Sequence, residues 1–107
     1  MFYKKNESKS RVAKDGVRFK SLACGDRTHL TEFRLSRGAV IPKHSHPHEQ
    51  TGYLVSGRIK FVVDDEGFIA EAGDGWTIAG NTEHGVEVFE DSVVVEVFSP
   101  PRKDYLP

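Results

Sequence analysis

From Gly16 onward, short apolar runs are broken by turn residues roughly every eight to twelve positions, the texture of an all-β sandwich or barrel. No segment carries a helical period. Strands are predicted over Val17–Cys24, ended by Gly25-Asp26, and over Thr28–Leu35, ended by Ser36-Arg37-Gly38. Thr51–Val55 and Arg58–Val63 read as a hairpin around Ser56-Gly57. Asp64-Asp65-Glu66-Gly67 is a polar turn, followed by a strand from Phe68 to Ala72 and a short one over Trp76–Ile78. His84–Phe89 and Val93–Phe98 read as a last hairpin around Glu90-Asp91-Ser92, and Pro100-Pro101 stops its second arm. In that arm Val93, Val95 and Val97 share one face, while Val94, Glu96 and Phe98 share the other. A strand apolar on both faces is expected to be buried on both. Glu96 is then a carboxylate in an apolar stripe, which must be paired, lie near a cation, or hold a proton.

The length of 107 residues fits one domain, with an N-terminal arm over 1–15, a barrel over 16–99 and a tail over 100–107. The arm carries Lys4, Lys5, Lys9, Arg11 and Lys14 and is expected to be solvated; its functional alternative is pairing with a second subunit. A net charge of -1 offers no bulk attraction to nucleic acid or membrane surfaces. Cys24, the single cysteine, cannot form an internal disulfide and reads as a packed small hydrophobe. With no run of about 18 apolar residues and no apolar leader, a soluble cytoplasmic protein is expected.

The chemistry gathers between Gly38 and Gly57, where His44, His46 and His48 alternate and Glu49 and Gln50 follow. Side chains two apart on an extended chain point to the same side, so a His-x-His pair aims two imidazoles into one space. Histidine is the commonest metal ligand, and His84 lies in a second glycine-rich segment. Either Glu49 or Gln50 can supply a fourth ligand from its side-chain oxygen. His48 fits a place beside the ligands better than among them, and isolated His29 reads as a surface histidine. Tyr53 and Trp76 read as barrel core, and Phe98 as core or as a wall for a sugar ring.

The series Gly38-x5-His44-x-His46-x3-Gln50-x6-Gly57, followed by Gly73 and His84, resembles the two motifs of the cupin superfamily. The usual first motif has glutamate where Gln50 stands; in the second, Ala79, Asn81 and Val88 replace the usual proline, glycine and asparagine. The resemblance implies an antiparallel jelly-roll β-barrel with a divalent transition metal held by His44, His46, Gln50 and His84. Three imidazoles and an amide oxygen suit nickel, iron, zinc, copper or manganese. The ending Val97-Phe98-Ser99-Pro100-Pro101-Arg102-Lys103-Asp104-Tyr105-Leu106 looks like that of the pectin-degradation cupins, which open unsaturated uronate rings to linear keto-uronates. Those enzymes also use glutamine as fourth ligand. Their catalytic acid, aromatic and arginine fall here on Glu96, Phe98 and Arg102. Their acid is aspartate, so Glu96 is one methylene longer, and the loop from His46 to Gln50 looks one residue shorter.

The expected activity is ring opening of a 4,5-unsaturated uronate, with Glu96 as general acid and Arg102 gripping the substrate carboxylate bidentately. Two other readings are an oxygen-dependent dioxygenase of a small enol or catechol-like substrate, and a non-catalytic module that binds a small acid or sugar. The resemblance also implies a homodimer, with a carboxylated sugar as the small-molecule partner.

Overall fold

A computed structural model describes residues 1–107 as an almost entirely β molecule. Its strands are β1 (Arg11–Lys14), β2 (Val17–Cys24), β3 (His29–Leu35), β4 (Val40–His44), β5 (Glu49–Val63), β6 (Glu66–Glu71), β7 (Gly75–Ile78) and β8 (His84–Ser99), with one 3₁₀ turn at Lys103–Tyr105. All pairings are antiparallel: the order is β1-β2-β3-β8-β5-β6, with β4 also on β8 and β7 also on β5. β5 and β8 run side by side from Glu49↔Ser99 to Val63↔His84. One half of β8 pairs with β3 and the other with β4, so the two long strands pass together from one sheet to the other, as the jelly-roll expectation requires.

The two predicted hairpins, around Ser56-Gly57 and around Glu90-Asp91-Ser92, are therefore corrected: each is a bend inside one continuous strand. Inward positions of β5 are even before the bend (Gln50, Leu54) and odd after it (Ile59, Phe61), and the register with β8 shifts between Leu54 and Ile59. Gly57, at φ 99°, takes the left-handed conformation that a bulge there demands. Ser92 fastens the corner, accepting from the Arg58 N–H at 3.2 Å and donating to the Glu90 carbonyl at 2.7 Å. Turn residues signal a bulge as readily as a hairpin, and only the partner strand tells them apart.

A core of 13 buried apolar residues includes Phe19, Phe33, Leu54, Val94 and Phe98 from one sheet and Ile59, Phe61, Ala70 and Val86 from the other. The inward row of β8 continues through Glu96, while Val93, Val95 and Val97 are half-buried on the outer face, not fully buried as predicted. Tyr53 and Val55 are exposed, so Tyr53 is not barrel core; Trp76 packs against Phe61, ring centroids 4.7 Å apart, as core. β1 is exposed throughout and pairs with β2 of its own chain, and β4 had no counterpart in the predicted strands. No helix is long and apolar enough to cross a membrane.

The tail is more than a stop. Tyr105 joins the core, 4.6 Å from the Phe19 ring and 5.7 Å from Phe98. His29 is not on the surface as expected: it is 0% exposed, bonded to the Ser21 hydroxyl at 2.7 Å and accepting the Arg102 backbone N–H on Nδ1 at 3.2 Å. Nδ1 must be the bare nitrogen to accept, so Nε2 carries the proton and donates to Ser21. This histidine ties the tail to β2 and β3.

Candidate metal centre

His44 ends β4, His46 lies in the loop behind it, Gln50 is the second residue of β5 and His84 opens β8. Cross-strand pairing sets His44 opposite His84. The three rings converge, with centroids 4.5 Å (His44–His84), 4.9 Å (His46–His84) and 5.6 Å (His44–His46) apart. One nitrogen of each lies within 4.8 Å of the others.

The tautomers follow from the backbone. His44 Nδ1 faces the Pro42 carbonyl at 2.9 Å, His46 Nδ1 that of His48 at 3.0 Å, and His84 Nδ1 that of Thr82 at 2.8 Å. A carbonyl oxygen only accepts, so each Nδ1 carries the proton and each Nε2 keeps a bare lone pair. Such backing bonds orient metal-binding histidines and strengthen them as donors. Burial, aided by the Arg102 charge, pushes the His46 pKa down to about 4, and burial also lowers that of His84. Both imidazoles are neutral at physiological pH, the form that binds metal.

Gln50 is 4% exposed, and its Oε1 has no hydrogen-bond partner. A buried carbonyl oxygen without a donor is costly, and a cation beside it removes that cost. Glu49 is exposed, so of the two it is Gln50 that is the candidate for a fourth donor. These four residues fit a divalent transition metal: three imidazoles, each with Nδ1 turned to a backbone carbonyl, and one orphaned amide oxygen. His48 stands beside them, its ring 5.4 Å from that of His46 and its carbonyl backing that residue.

The same cavity, about 60 Å³, is lined by His44, His46, Gln50 and His84 and also by Glu96, Phe98, Arg102 and Tyr105. That volume suits an ion with a few waters. Glu96, 7% exposed, accepts a 2.7 Å bond from Gln50 Nε2 on its Oε2. The Trp76 indole N–H is near the same carboxylate without closing a hydrogen bond. Burial raises the Glu96 pKa to about 8, against the opposing effects of Trp76, Gln50 and Arg102. Phe98 is both core and pocket wall, 5.9 Å from the His46 ring.

Arg102 reaches the pocket with its guanidinium 4.1 Å from the Tyr105 ring centroid and 5.1 Å from that of Phe98. One of its two forked edges is taken, however: Nε meets Asp104 Oδ1 at 3.1 Å and Nη2 meets Oδ2 at 2.8 Å. Asp104 thus holds the Nε–H and one Nη2 N–H, and the other forked edge, Nη1 with the second Nη2 N–H, is not held by it. Sequence reasoning gave no role to Asp104 and Tyr105 and took His29 for a surface histidine. For the first two, the available signal was an acid two residues and an aromatic three residues beyond Arg102, behind a pair of prolines.

The likeness to known proteins agrees with this geometry. Residues 31–99 match the Cupin domain family. The pectin degradation protein KdgF of Dickeya dadantii is 32% identical over 94 residues, 86% of each chain. The structure of KdgF from Halomonas sp. superposes with a TM-score of 0.91 at 30% identity, covering 99% of this chain and 98% of that one. An RmlC-like cupin from Shewanella frigidimarina gives the same TM-score at 23% identity, covering 98% and 95%, and shares the fold. The protein described here belongs to the cupin family and is a relative of the pectin degradation protein KdgF.

Proposed function

We propose that this cupin catalyses metal-dependent opening of a 4,5-unsaturated uronate ring to the linear keto-uronate. One observation carries the reading: Glu96, a buried carboxyl, is hydrogen-bonded to Gln50, the fourth donor of the metal centre, in a pocket that Arg102 and Phe98 also line. The kinship with KdgF supports the same substrate class.

His44, His46, Gln50 and His84 would hold the metal, which supplies Lewis-acid polarisation of substrate oxygens. Glu96, with its pKa near 8, carries a proton at neutral pH and delivers it to C4 of the enol ether. The positive charge that develops at C5 is shared with the ring oxygen. Water adds at C5 and returns a proton to the Glu96 carboxylate. The hemiketal then opens as the C5–O bond to the ring oxygen breaks, leaving a ketone at C5. Water lost from the hydrated C1 restores the aldehyde, so the net change is an isomerisation. Arg102 meets the substrate carboxylate through its Nη1–Nη2 edge, and Phe98 forms the wall against which the ring lies.

The test is the ultraviolet absorbance of the enol ether in unsaturated galacturonate mixed with nickel-reconstituted protein, under strict anaerobiosis, beside a His44→Ala control. Faster decay absent from the control is the expected result. No acceleration with nickel, iron, zinc, copper or manganese would overturn the reading. Turnover that needs oxygen would assign the protein to the dioxygenases, and tight binding without turnover to the non-catalytic modules. A homodimer would cover the outer strip of Val93, Val95, Val97, Tyr53 and Val55, which sedimentation of the protein would reveal.

A further inference from the structure

We propose that Asp104 is a positioning residue: it holds the Arg102 guanidinium in the pocket and turns its Nη1 edge toward the substrate. The proposal rests on the ring-opening reading for its kinetic consequence, but not for its geometry.

The local chain builds the arrangement. Arg102 is extended (φ -80°, ψ 96°), and the 3₁₀ turn that follows is closed by the Tyr105 N–H on the Arg102 carbonyl at 3.0 Å. That turn brings side chains 104 and 105 back onto 102. The two nearly parallel contacts from Asp104, at 3.1 and 2.8 Å, fix the plane of the guanidinium as well as its place. Tyr105 and Phe98 lie against it, and His29 holds its backbone N–H.

The exposures set the roles. The Arg102 side chain is 11% exposed and that of Asp104 59%, so the cation stands inside and the acid at the rim. A flexible arginine beside a divalent cation at the three imidazoles would be repelled toward water, and its long stem lets it leave. Asp104 offsets that repulsion on the outer edge. With that edge taken, a substrate carboxylate is met at the other, Nη1 and the second Nη2 N–H, whose direction Asp104 sets.

The experiment uses the full-length, metal-loaded protein and the Asp104→Asn and Asp104→Glu variants. In the wild type, the Arg102 Nε–H should give a resolved, slowly exchanging signal in a nitrogen-15 spectrum. In Asp104→Asn that signal should merge with those of solvated arginines while metal content is unchanged. The KM for unsaturated galacturonate should rise about tenfold or more, the scale of one charge-assisted hydrogen bond, with kcat little altered. The methyl ester of the same sugar should show no such difference, and Asp104→Glu should recover part of the loss. An Arg102 signal that survives in Asp104→Asn would overturn the proposal, as would an unchanged or lower KM, which would make Asp104 a bystander or a competitor of the substrate. If the wild type does not open the uronate, the ring-opening reading fails by itself. The Arg102 signal then still decides the geometry, and calorimetry with galacturonate replaces KM.

Discussion

Gln50 on β5 and Glu96 on β8 are joined by a 2.7 Å hydrogen bond, Nε2 to Oε2, between adjacent strands on the inner face of the barrel. They are diagonal neighbours, since Gln50 pairs with Phe98 and Gly52 with Glu96. An amide presents an acceptor on one side and a donor on the other. Gln50 can therefore turn Oε1 to a metal while its NH₂ serves the carboxyl behind it. A glutamate in the same place would set two carboxylates within hydrogen-bond distance, and they would have to share a proton. The glutamine that departs from the usual cupin motif is the residue that lets a metal seat and a buried acid stand side by side.

Replacing Glu96 by glutamine should then separate structure from chemistry. The new side chain still offers Gln50 an oxygen to donate to, so the protein should fold and retain its metal at wild-type stoichiometry. It has no proton to give to C4, and turnover of the unsaturated uronate should fall by about 100-fold or more. Steady-state rates beside metal analysis check this; full activity in Glu96→Gln would remove the acid role.

Metal should stabilise the fold, because the three imidazoles converge only when β4 and β8 are assembled. An ion present at about 100 times its dissociation constant adds about 2.7 kcal/mol. Thermal melts should move up on adding nickel or zinc and fall back with a chelator. His84→Ala should abolish the metal-dependent increment, and an increment unchanged in that variant would displace His84 from the ligand set.

The candidate metal donors were legible because their signal is local and dense. His44, His46 and Gln50 lie within seven consecutive residues, and their spacing survives any error in strand boundaries. Glu96 was legible as an anomaly, a charge in a row of valines. What stayed hidden depends on partners far along the chain. His29 looked isolated because one of its partners, the Arg102 backbone, is 73 residues away. Both forked edges of Arg102 looked free for substrate because Asp104 closes on one of them only once the 3₁₀ turn forms.

Buried His29 gives a pH dependence of known sign. Burial, with the Arg102 charge acting the same way, lowers its pKa from 6.5. Below about pH 6.5 the unfolded chain takes up a proton that the native imidazole refuses. Its contribution to stability is therefore complete above that pH and is lost as pH falls toward the depressed native value. His29→Gln can still accept from Arg102 and donate to Ser21 without titrating. Melting temperatures between pH 7.5 and 5 should drop less steeply in the variant; parallel curves would show that another group titrates.

The corner of the two long strands should be the backbone's most sensitive point. Gly57 has φ 99°, a conformation side chains rarely adopt, and a Cβ there would lie 2.1 Å from the Ser92 hydroxyl and 2.5 Å from the Asp91 carbonyl. Ser92 cannot simply swing away, because it accepts from Arg58 N–H and donates to the Glu90 carbonyl. Backbone strain and overpacking therefore act together, and Gly57→Ala should cost about 2–4 kcal/mol. Gly38 has a similar φ of 86° but nothing within 4 Å of its Cβ position, so Gly38→Ala should carry the strain alone, about 1 kcal/mol. Urea unfolding of the pair separates the contributions. Equal losses would mean that the contact with Ser92 and Asp91 relaxes freely and that the bend needs only the glycine conformation.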